Sequence, residues 1–395
     1  MKTIINTIKV DDNSSITFTL KSNAINIFEE PQNNLWTFDF EGRLVGMFIN
    51  NKYYRRTLSN KYYLKSRTEK SNETFRTVNK VPRSEVIPHM KRCNKIIEKY
   101  RIEQPSSFNL ILKKIIAMDY DVLEESAREF SDIYLPISIL PPDQYMSLVL
   151  QLTEGCNYNQ CTFCNFYKDR PFKIKSLYEL ANHIQSVKSF FGYGINLRKS
   201  IFLADANAIS VPQKKLVDSL KLINNQFPQF KNIYSFVDVF TGIKKSANDY
   251  KELKELGIKR VYLGVESGNN DLMLFLNKKQ LNGDIFKLTQ DLKAGGINVG
   301  IIFLIGAGGK HFAEKHLNDS MELVKDLPLS KGDFIYLSEL NETNSEYIDS
   351  MEKMNYKVPS KSQIRGWSNN FRNKTKEVLS KEIQVSIYDI NQFFY

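Results

Sequence analysis

Apolar residues in the second half of the chain occur in short runs, separated by longer segments with helical periodicity. The runs predict buried strands at 147–152, 200–203, 232–237, 259–265, 298–305 and 334–337. The intervening segments predict helices at 177–191, 213–225, 247–256, 271–294 (in two pieces) and 311–324. Strands that are apolar along almost their whole length and alternate with helices indicate an α/β fold with a parallel sheet buried on both faces. Right-handed crossovers would curl such a sheet towards a barrel.

The first part of the chain shows the two-residue alternation of antiparallel strands instead. Strands are predicted at 15–20, 35–40, 43–49, 52–57 and 61–65, joined by short polar turns, and residues 66–82 are predicted to be a linker. Helices are predicted at 84–100 and 105–130, the second broken near Asp119, followed by a proline-rich connector at 134–142.

Four regions follow from these patterns. We predict a β-rich N-terminal module at 1–80, a helical segment and connector at 81–145, a core barrel at 146–340, and a C-terminal extension at 341–395. The extension carries helices up to 354 and at 360–380, and a strand at 383–390 that is expected to extend the barrel.

Composition limits the class of protein. An apolar fraction of 42% over 395 residues supplies a sizeable core. No run approaches the roughly 18 apolar residues that a membrane span needs, so no membrane partner is expected. The N-terminus lacks the apolar core of a signal peptide, and cysteines are few. A reducing cytoplasm is therefore the expected location.

Positive charge is concentrated in one segment of the N-terminal region. From Lys52 to Lys95 the sequence carries 13 Lys or Arg against three Glu and no Asp, a net charge of +10 out of +11 for the chain. Tyrosines interleave the basic residues, at positions 53, 54, 62 and 63. This composition is used by nucleic-acid surfaces. It also fits a solvated face of an accessory module, and both interpretations stay open.

Three of the four cysteines, Cys156, Cys161 and Cys164, follow the first barrel strand with the spacing Cys-x4-Cys-x2-Cys. Thiolates favour zinc, copper(I) or iron–sulfur clusters, and structural zinc needs a fourth ligand. No histidine lies in the loop, His183 is predicted on the outer face of a helix, and Cys93 is interpreted as a packing residue. The loop therefore fits a [4Fe–4S] cluster with one open iron, with structural zinc or plain buried cysteines as alternatives.

This loop resembles the cluster loop of the radical S-adenosylmethionine (radical SAM) superfamily, in which an aromatic residue precedes the third cysteine, as Phe163 does here. The usual spacing is Cys-x3-Cys-x2-Cys, so this chain has one extra residue. The resemblance implies that Cys156, Cys161 and Cys164 bind three irons and that the fourth iron holds S-adenosylmethionine. It also implies a partial (β/α)6 TIM-like barrel, in agreement with the six strands, here with a β-rich plus helical N-terminal domain and a helical C-terminal extension.

The resemblance also implies cofactor contacts at the ends of later strands. Asp205 and Asn207 stand where family members carry a Gly-Gly-Glu type segment, and Glu266 and Ser267 belong to a Gly-x-Glu-Ser-Gly segment that several branches share. Gly306 lies near the position of the family's adenine-binding backbone. Each also has a simpler explanation as an ordinary strand-to-helix loop or a helix N-cap.

The function that the resemblance implies is reductive cleavage of S-adenosylmethionine to a 5′-deoxyadenosyl radical. That radical abstracts hydrogen from a small-molecule or peptide substrate, with the electron coming from a flavodoxin- or ferredoxin-type reductant. No second cluster motif is visible, and the sequence singles out no residue that acts on the substrate. The alternatives are a radical SAM enzyme that modifies RNA through segment 52–95, and a non-catalytic metal-bound scaffold.

Overall fold

The computed structural model describes residues 3–70, 73–341, 344–388, 390, 393 and 395, with the side chains of 67–70 and 73–76 excluded. The chain forms two compact units. The first contains the described residues up to Pro136 together with Gln185–Lys199 and Tyr395. The second contains Ile137–Ile184 and Ser200–Phe393. The four-part division drawn from the sequence stays a prediction.

The first unit is built on an eight-stranded antiparallel sheet whose strands follow one another in sequence order. Its strands are β1 (Ile4–Asp11), β2 (Ser14–Leu20), β3 (Ile25–Glu30), β4 (Asn34–Phe38), β5 (Leu44–Ile49), β6 (Lys52–Arg56), β7 (Tyr62–Lys70) and β8 (Glu73–Val81). Alternate side chains of β2 to β5 are buried, so one face of the sheet carries the core and the other stays partly open.

Three helices complete the first unit: α1 (Arg83–Tyr100), α2 (Ser106–Ala117) and α3 (Tyr120–Ile133). The Asp119 carboxylate accepts the Val122 backbone N–H and begins α3, which confirms the predicted break near Asp119. Cys93 is fully buried in the same hydrophobic core as Phe18 and Trp36, as expected of a packing residue.

The predicted linker at 66–82 is wrong. Residues 66–70 belong to β7 and residues 73–81 to β8, and the two strands pair in register from Tyr62 and Val81 to Lys70 and Glu73. Residues 71 and 72 lie outside the described part. The segment is polar because a hairpin paired along its length satisfies its own backbone and needs few apolar side chains. Strands β1 and β3 have no counterpart among the predicted strands.

The strands of the second unit are β9 (Leu148–Gln151), β10 (Thr153–Glu154), β11 (Lys173–Ile174), β12 (Ile201–Ala204), β13 (Ile233–Val237), β14 (Ile258–Glu266), β15 (Asn298–Ile305), β16 (Phe334–Glu339) and β17 (Gln384–Tyr388). All except β10 and β11 form one parallel sheet in the order β17-β16-β15-β14-β13-β12-β9. This confirms the α/β class with a partial barrel, and β17 extends the six predicted strands by a seventh.

The helices after Ile137 are α4 (Leu177–Phe191), α5 (Gln213–Gln226), α6 (Val239–Gly242), α7 (Ala247–Glu255), α8 (Asn270–Phe275), α9 (Asn282–Ala294), α10 (Gly309–Asp326), α11 (Ser345–Lys353) and α12 (Lys361–Val378). Helices α8 and α9 are the two predicted pieces of 271–294. Among the described residues, no helix combines the length and apolar character that crossing a membrane requires. His183 is buried and accepts the Gln151 backbone N–H at 3.1 Å, so its predicted outward placement is wrong.

Candidate functional site

The three-cysteine loop is closed at its base by a short antiparallel pair. Strands β10 and β11 pair Thr153 with Ile174 and Glu154 with Lys173, which makes residues 155–172 a loop at the carboxyl end of β9. Gly155 begins the loop with φ +71°, and a Cβ there would lie 2.8 Å from the Pro171 carbonyl oxygen. A larger residue would therefore force the base of the loop apart.

Asp205 anchors the loop from the end of β12. Its buried carboxylate accepts the Gly155 backbone N–H at 3.1 Å and the Gln151 side-chain N–H at 3.0 Å. The Arg170 guanidinium lies 3.6 Å from the same carboxylate. Burial raises the pKa of Asp205 despite these partners. Asp205 does not line the cavity described below, so the structure gives it a supporting position behind the first cysteine.

The middle of the loop is held by the residues that follow α8. The Tyr158 hydroxyl donates to the Asn277 carbonyl at 2.7 Å, and the Asn277 side chain donates to the Gln160 carbonyl at 2.9 Å. The Thr162 N–H donates to the Leu276 carbonyl at 3.1 Å. The loop is thus fixed at both ends and at its centre before any ligand binds.

All three loop cysteines line one cavity of about 240 Å³. Their thiols are free, and Phe163 lies between Cys161 and Cys164 in the same wall. The Asn159 backbone N–H donates to the Cys156 sulfur at 3.3 Å. Hydrogen bonds to sulfur are one way in which proteins tune iron–sulfur clusters.

The electrostatics of the cysteine wall depend on a nearby cation. Burial raises the pKa of Cys161 to about 12, and the positive charge of Lys278 acts against this rise. Burial also raises the pKa of Cys164. Because metals bind thiolates, positive charge near these side chains favours the form in which they act as ligands.

A bulge at the end of β14 brings a carboxylate into the cavity. Gly264 pairs with Ile302 and Glu266 with Phe303, so Val265 is an extra residue in β14. Glu266 has φ +60° and its carboxylate lies 2.6 Å from the Lys278 ammonium, which also donates to the Gly264 carbonyl at 2.5 Å. Burial alone would lower the pKa of Lys278, but the charges of Glu266 and Cys161 raise it.

Lys278 is a cavity residue that the sequence did not reveal. It lines the cavity together with Glu266 and the cysteines, and its positive charge acts against the raised pKa of Cys161. Its position follows the short helix α8 and belongs to no motif, so only the folded chain brings it to the site.

Asn207 and Asp238 form a second polar group on the neighbouring strands. The Asn207 side chain hydrogen-bonds to Asp238 and donates to the Thr241 hydroxyl at 2.8 Å. Asp238 also accepts the Thr241 N–H at 2.7 Å and so begins α6. Burial raises the pKa of Asp238, although Thr241 acts in the opposite direction. Both Asn207 and Asp238 line the cavity.

The structure does not bring Ser267 and Gly306 to this cavity. The Ser267 hydroxyl is fully buried, accepts the Asn269 N–H at 2.9 Å and lies 2.7 Å from the His316 Nδ1. Gly306 has φ +97°, and a Cβ there would meet the Ile364 side chain at 2.9 Å. It lines a separate groove between α10 and α12.

The remaining wall of the cavity is mainly apolar. It is formed by side chains from the strand ends and the loops after them, at Ile139, Phe166, Phe236, Phe240, Tyr262, Ile302, Leu304, Leu340, Tyr388 and Ile390. Glu339 adds a carboxylate, which pairs with the Arg365 guanidinium at 2.7 Å. One side of the cavity therefore offers thiols and charged groups, and the other offers hydrophobic surface for an organic molecule.

The number and kind of donors bear on the metal group that the cavity could hold. A structural zinc ion takes four ligands, and the loop supplies three thiols to the cavity. Three thiols that line one cavity, with a hydrogen bond to one sulfur and a cation near another, fit a larger thiolate-ligated cluster.

Comparison with known proteins gives one family. Residues 150–324 match the model of the Radical SAM superfamily. No curated protein matches the chain at the sequence level. Similar solved structures include the cobalamin-dependent S-adenosylmethionine radical enzyme OxsB, with 18% identity, 56% of this chain and 30% of that chain covered, and a TM-score of 0.37.

Two further structures extend this comparison. The radical S-adenosylmethionine methyltransferase TsrM from Kitasatospora setae has 15% identity, with 52% of this chain and 40% of that chain covered and a TM-score of 0.38. Coproporphyrinogen III oxidase (HemN) from Escherichia coli has 16% identity, with 58% of this chain and 52% of that chain covered and a TM-score of 0.43. The chain therefore spans well under half the length of OxsB and TsrM.

Proposed function

We propose, from the match of residues 150–324 to the model of the Radical SAM superfamily, that the chain is a radical SAM enzyme whose active site is the cysteine-lined cavity. One observation carries the proposal: three thiols from a single loop share a cavity with a buried Glu266–Lys278 pair. Thiols for a cluster and charged groups for a polar cofactor are thereby present in one cavity.

Cys156, Cys161 and Cys164 would hold a [4Fe–4S] cluster, and the open iron would hold S-adenosylmethionine. When bound, these two groups would supply a 5′-deoxyadenosyl radical for hydrogen abstraction from the substrate. The protein positions them through the loop anchors at Gly155 and Thr162. Lys278 balances the negative charge of the thiolates, and the Asn159 N–H stabilises the Cys156 sulfur.

The polar residues on the strand ends would bind the cofactor outside the cluster. Glu266, Asn207 and Asp238 offer acceptors for the amino group and the ribose hydroxyls of S-adenosylmethionine. Phe163 would cover the cluster side of the cofactor. Asp205 acts through Gly155 as a positioning residue, and we do not extend a cofactor contact to Ser267 or Gly306, which lie outside the cavity.

The apolar wall would receive the substrate, a small molecule or a peptide side chain with a hydrophobic surface. Its aromatic residues exclude water from the space where hydrogen abstraction would occur, which protects a reactive intermediate. A one-electron reductant of flavodoxin or ferredoxin type and a cytoplasmic location complete the proposal.

Anaerobic reconstitution tests this function directly. Iron, sulfide and the visible absorption spectrum are measured first, and then 5′-deoxyadenosine formed with dithionite and S-adenosylmethionine. We expect about four irons per chain and 5′-deoxyadenosine in the wild type. Both should be lost in Cys161→Ala and retained in Cys93→Ala, the matched control in which the fourth cysteine is removed from the core of the first unit.

Two results would contradict the proposal. Equal iron content in Cys161→Ala and the wild type would show that the loop cysteines are not the ligands. Zinc in place of iron in anaerobically purified protein would favour the metal-bound scaffold.

A further inference from the structure

The basic, tyrosine-rich segment of the first unit becomes a patterned surface once it is folded. Strands β6, β7 and β8 lie side by side, so residues distant in sequence become cross-strand neighbours. Tyr54 and Tyr62 are buried on the inner face, while Tyr53 and Arg55 point to the outer face. The segment therefore presents only part of its basic and aromatic residues on one face.

Basic and aromatic side chains alternate across that outer face. Tyr53 pairs with Lys65 in the neighbouring strand. In the next row Arg55 pairs with Tyr63, and Tyr63 pairs with Lys80 on β8. Directly opposed residues in antiparallel strands have Cβ atoms about 5 Å apart, so each ring has a cation beside it.

The aromatic row continues towards the centre of the sheet. Phe28, Leu35, Phe48 and Tyr53 are successive cross-strand partners on β3 to β6, and none of them is buried. A Cβ on Gly46 would lie 2.9 Å from the Tyr53 hydroxyl oxygen, so the Tyr53 ring lies across that glycine. The result is a partly apolar platform with cations along one side.

One acidic residue of the segment, Glu85, does not belong to this outer face. Glu85 is turned to the inner side, where its carboxylate accepts the Tyr54 hydroxyl at 2.7 Å. The other two acidic residues of the segment, at 69 and 73, have side chains outside the described part.

We propose that the outer face of β3–β8 binds single-stranded RNA. Unpaired bases would stack on Phe48, Tyr53 and Tyr63, and phosphates would lie against Arg55, Lys65 and Lys80, as in other sheet platforms for single strands. A duplex hides its bases and leaves the rings without a partner. Strands at a spacing of about 4.8 Å make the platform about 24 Å wide.

The preference for RNA over DNA rests on the polar row beside the rings. Thr19, Asn26 and Thr37 continue the row of Arg55 on β2 to β4. Their hydroxyl and amide groups are suited to the 2′-hydroxyl, which both donates and accepts hydrogen bonds. This inference does not depend on the chemistry proposed for the cavity.

The test is a salt series of binding by the full chain to a fluorescent single-stranded RNA of ~20 nucleotides, followed by anisotropy. The combined variant Arg55→Gln/Lys65→Gln/Lys80→Gln should reduce the slope of log affinity against log salt by about 2. The matched control Lys251→Gln/Lys254→Gln/Lys315→Gln removes the same charge from exposed positions on α7 and α10 and should leave the slope unchanged.

A second variant separates stacking from charge. Tyr53→Ala should weaken binding roughly 5- to 150-fold without altering the salt slope, because base stacking does not release counterions. Iron loading and 5′-deoxyadenosine formation should stay normal in every surface variant, so a failure of this inference is distinguishable from a failure of the proposed enzyme.

Several outcomes would overturn the proposal. One is the absence of RNA binding, and another is equal weakening by the two triple variants. Equal affinity for DNA of the same sequence would remove the assignment to RNA. Equal affinity for duplex RNA would remove the stacking platform.

Discussion

At the scale of single residues, the cavity depends on one buried ion pair. Glu266 and Lys278 are each about nine-tenths buried, and their charged atoms lie 2.6 Å apart. A buried pair adds little net stability over an apolar one, but removal of one partner leaves an uncompensated charge in a poorly hydrated site. The two residues therefore have to be present together, although the pair itself contributes little to the stability of the fold.

Lys278→Met tests this asymmetry. We expect a loss of about 3–5 kcal/mol in the free energy of unfolding, measured with urea, because the Glu266 carboxylate loses its partner. The double variant with Glu266→Gln should recover most of the loss. Lys287→Met breaks a surface pair in which the Lys287 side chain is 58% exposed and the Asp291 side chain 21%, and it should cost less than about 1 kcal/mol. Equal losses in the two lysine variants would contradict the prediction.

His316 is a second residue with a measurable electrostatic effect. It is buried beside Ser267 and Ser320, and burial lowers its pKa from 6.5 to about 4. The unfolded chain therefore binds this proton at a higher pH than the folded chain does. The stability contributed by neutral His316 is present above pH 6.5 and is lost as the pH falls towards 4.

Removing this histidine should reduce the acid sensitivity of the fold. Between pH 7 and pH 5, we expect the free energy of unfolding to fall by about 2 kcal/mol more in the wild type than in His316→Asn. His311→Gln, at an exposed position on the same helix, should retain the wild-type pH dependence. Urea unfolding at both pH values measures the difference, and parallel curves for the wild type and His316→Asn would refute it.

At the scale of elements, the bulge in β14 determines where Glu266 points. The extra residue Val265 shifts the register against β15, and the Gln280 side chain donates to the Val265 carbonyl at 2.5 Å. Gly264 leaves space beneath the ion pair, since a Cβ there would lie 2.5 Å from the Glu266 Oε1 and 2.9 Å from the Lys278 Nζ.

Gly264→Ala should displace the pair while leaving the sheet in place. A shift of about 1 Å in a positioned group can reduce a rate by about 100-fold, so 5′-deoxyadenosine formation should fall by that order. Gly283→Ala, whose Cβ would point into open space on α9, should leave the rate unchanged. Parallel rate assays and iron analyses separate the two variants, and a normal rate in Gly264→Ala would disprove the role of this space.

Most elements with a hydrophobic pattern imposed by burial were predictable from sequence, but β3 was missed although Ile25 and Ile27 are buried. The parallel strands β9 and β12 to β16 are mostly apolar along their length and were located within a few residues. The strand predicted at 61–65 is the first part of β7, and the rest of the β7–β8 hairpin was missed because its stability comes from backbone pairing, which leaves no apolar pattern.

The residues of the candidate site divide in the same way, into those that a sequence pattern reveals and those that only the folded structure reveals. The cysteines were found by spacing, and they line the cavity. Lys278 was missed because its role depends on a contact with Glu266 made only after folding. Ser267 and Gly306 stand at strand ends, but their direction depends on the bulge and on the packing of α12.

At the scale of the whole molecule, two compact units each carry their own hydrophobic core. The cavity belongs to the second unit and is assembled from separate stretches, namely the cysteine loop, the ends of β12 to β16, and β17. Ligand binding at such a site stabilises every segment that contributes to it.

Hydrogen exchange should reveal this assembly. Adding S-adenosylmethionine to the reconstituted protein should slow exchange in peptides covering 155–172, 204–210 and 264–278, with peptides from β2 and β3 as the internal reference. A ligand at a concentration of 100 times its dissociation constant adds about 2.7 kcal/mol to the free energy of unfolding. Cys161→Ala should show no such protection, and equal protection in that variant would place the ligand elsewhere.

The order of the cavity walls along the chain has a consequence for biosynthesis. The cysteine loop is translated first, and the last wall, near Tyr388, follows more than 200 residues later. At about 5–20 residues per second, the thiols would wait on the order of 10–40 s on the ribosome without their surroundings. During that interval they are open to oxygen and to stray metals, and cluster insertion has to compete with both.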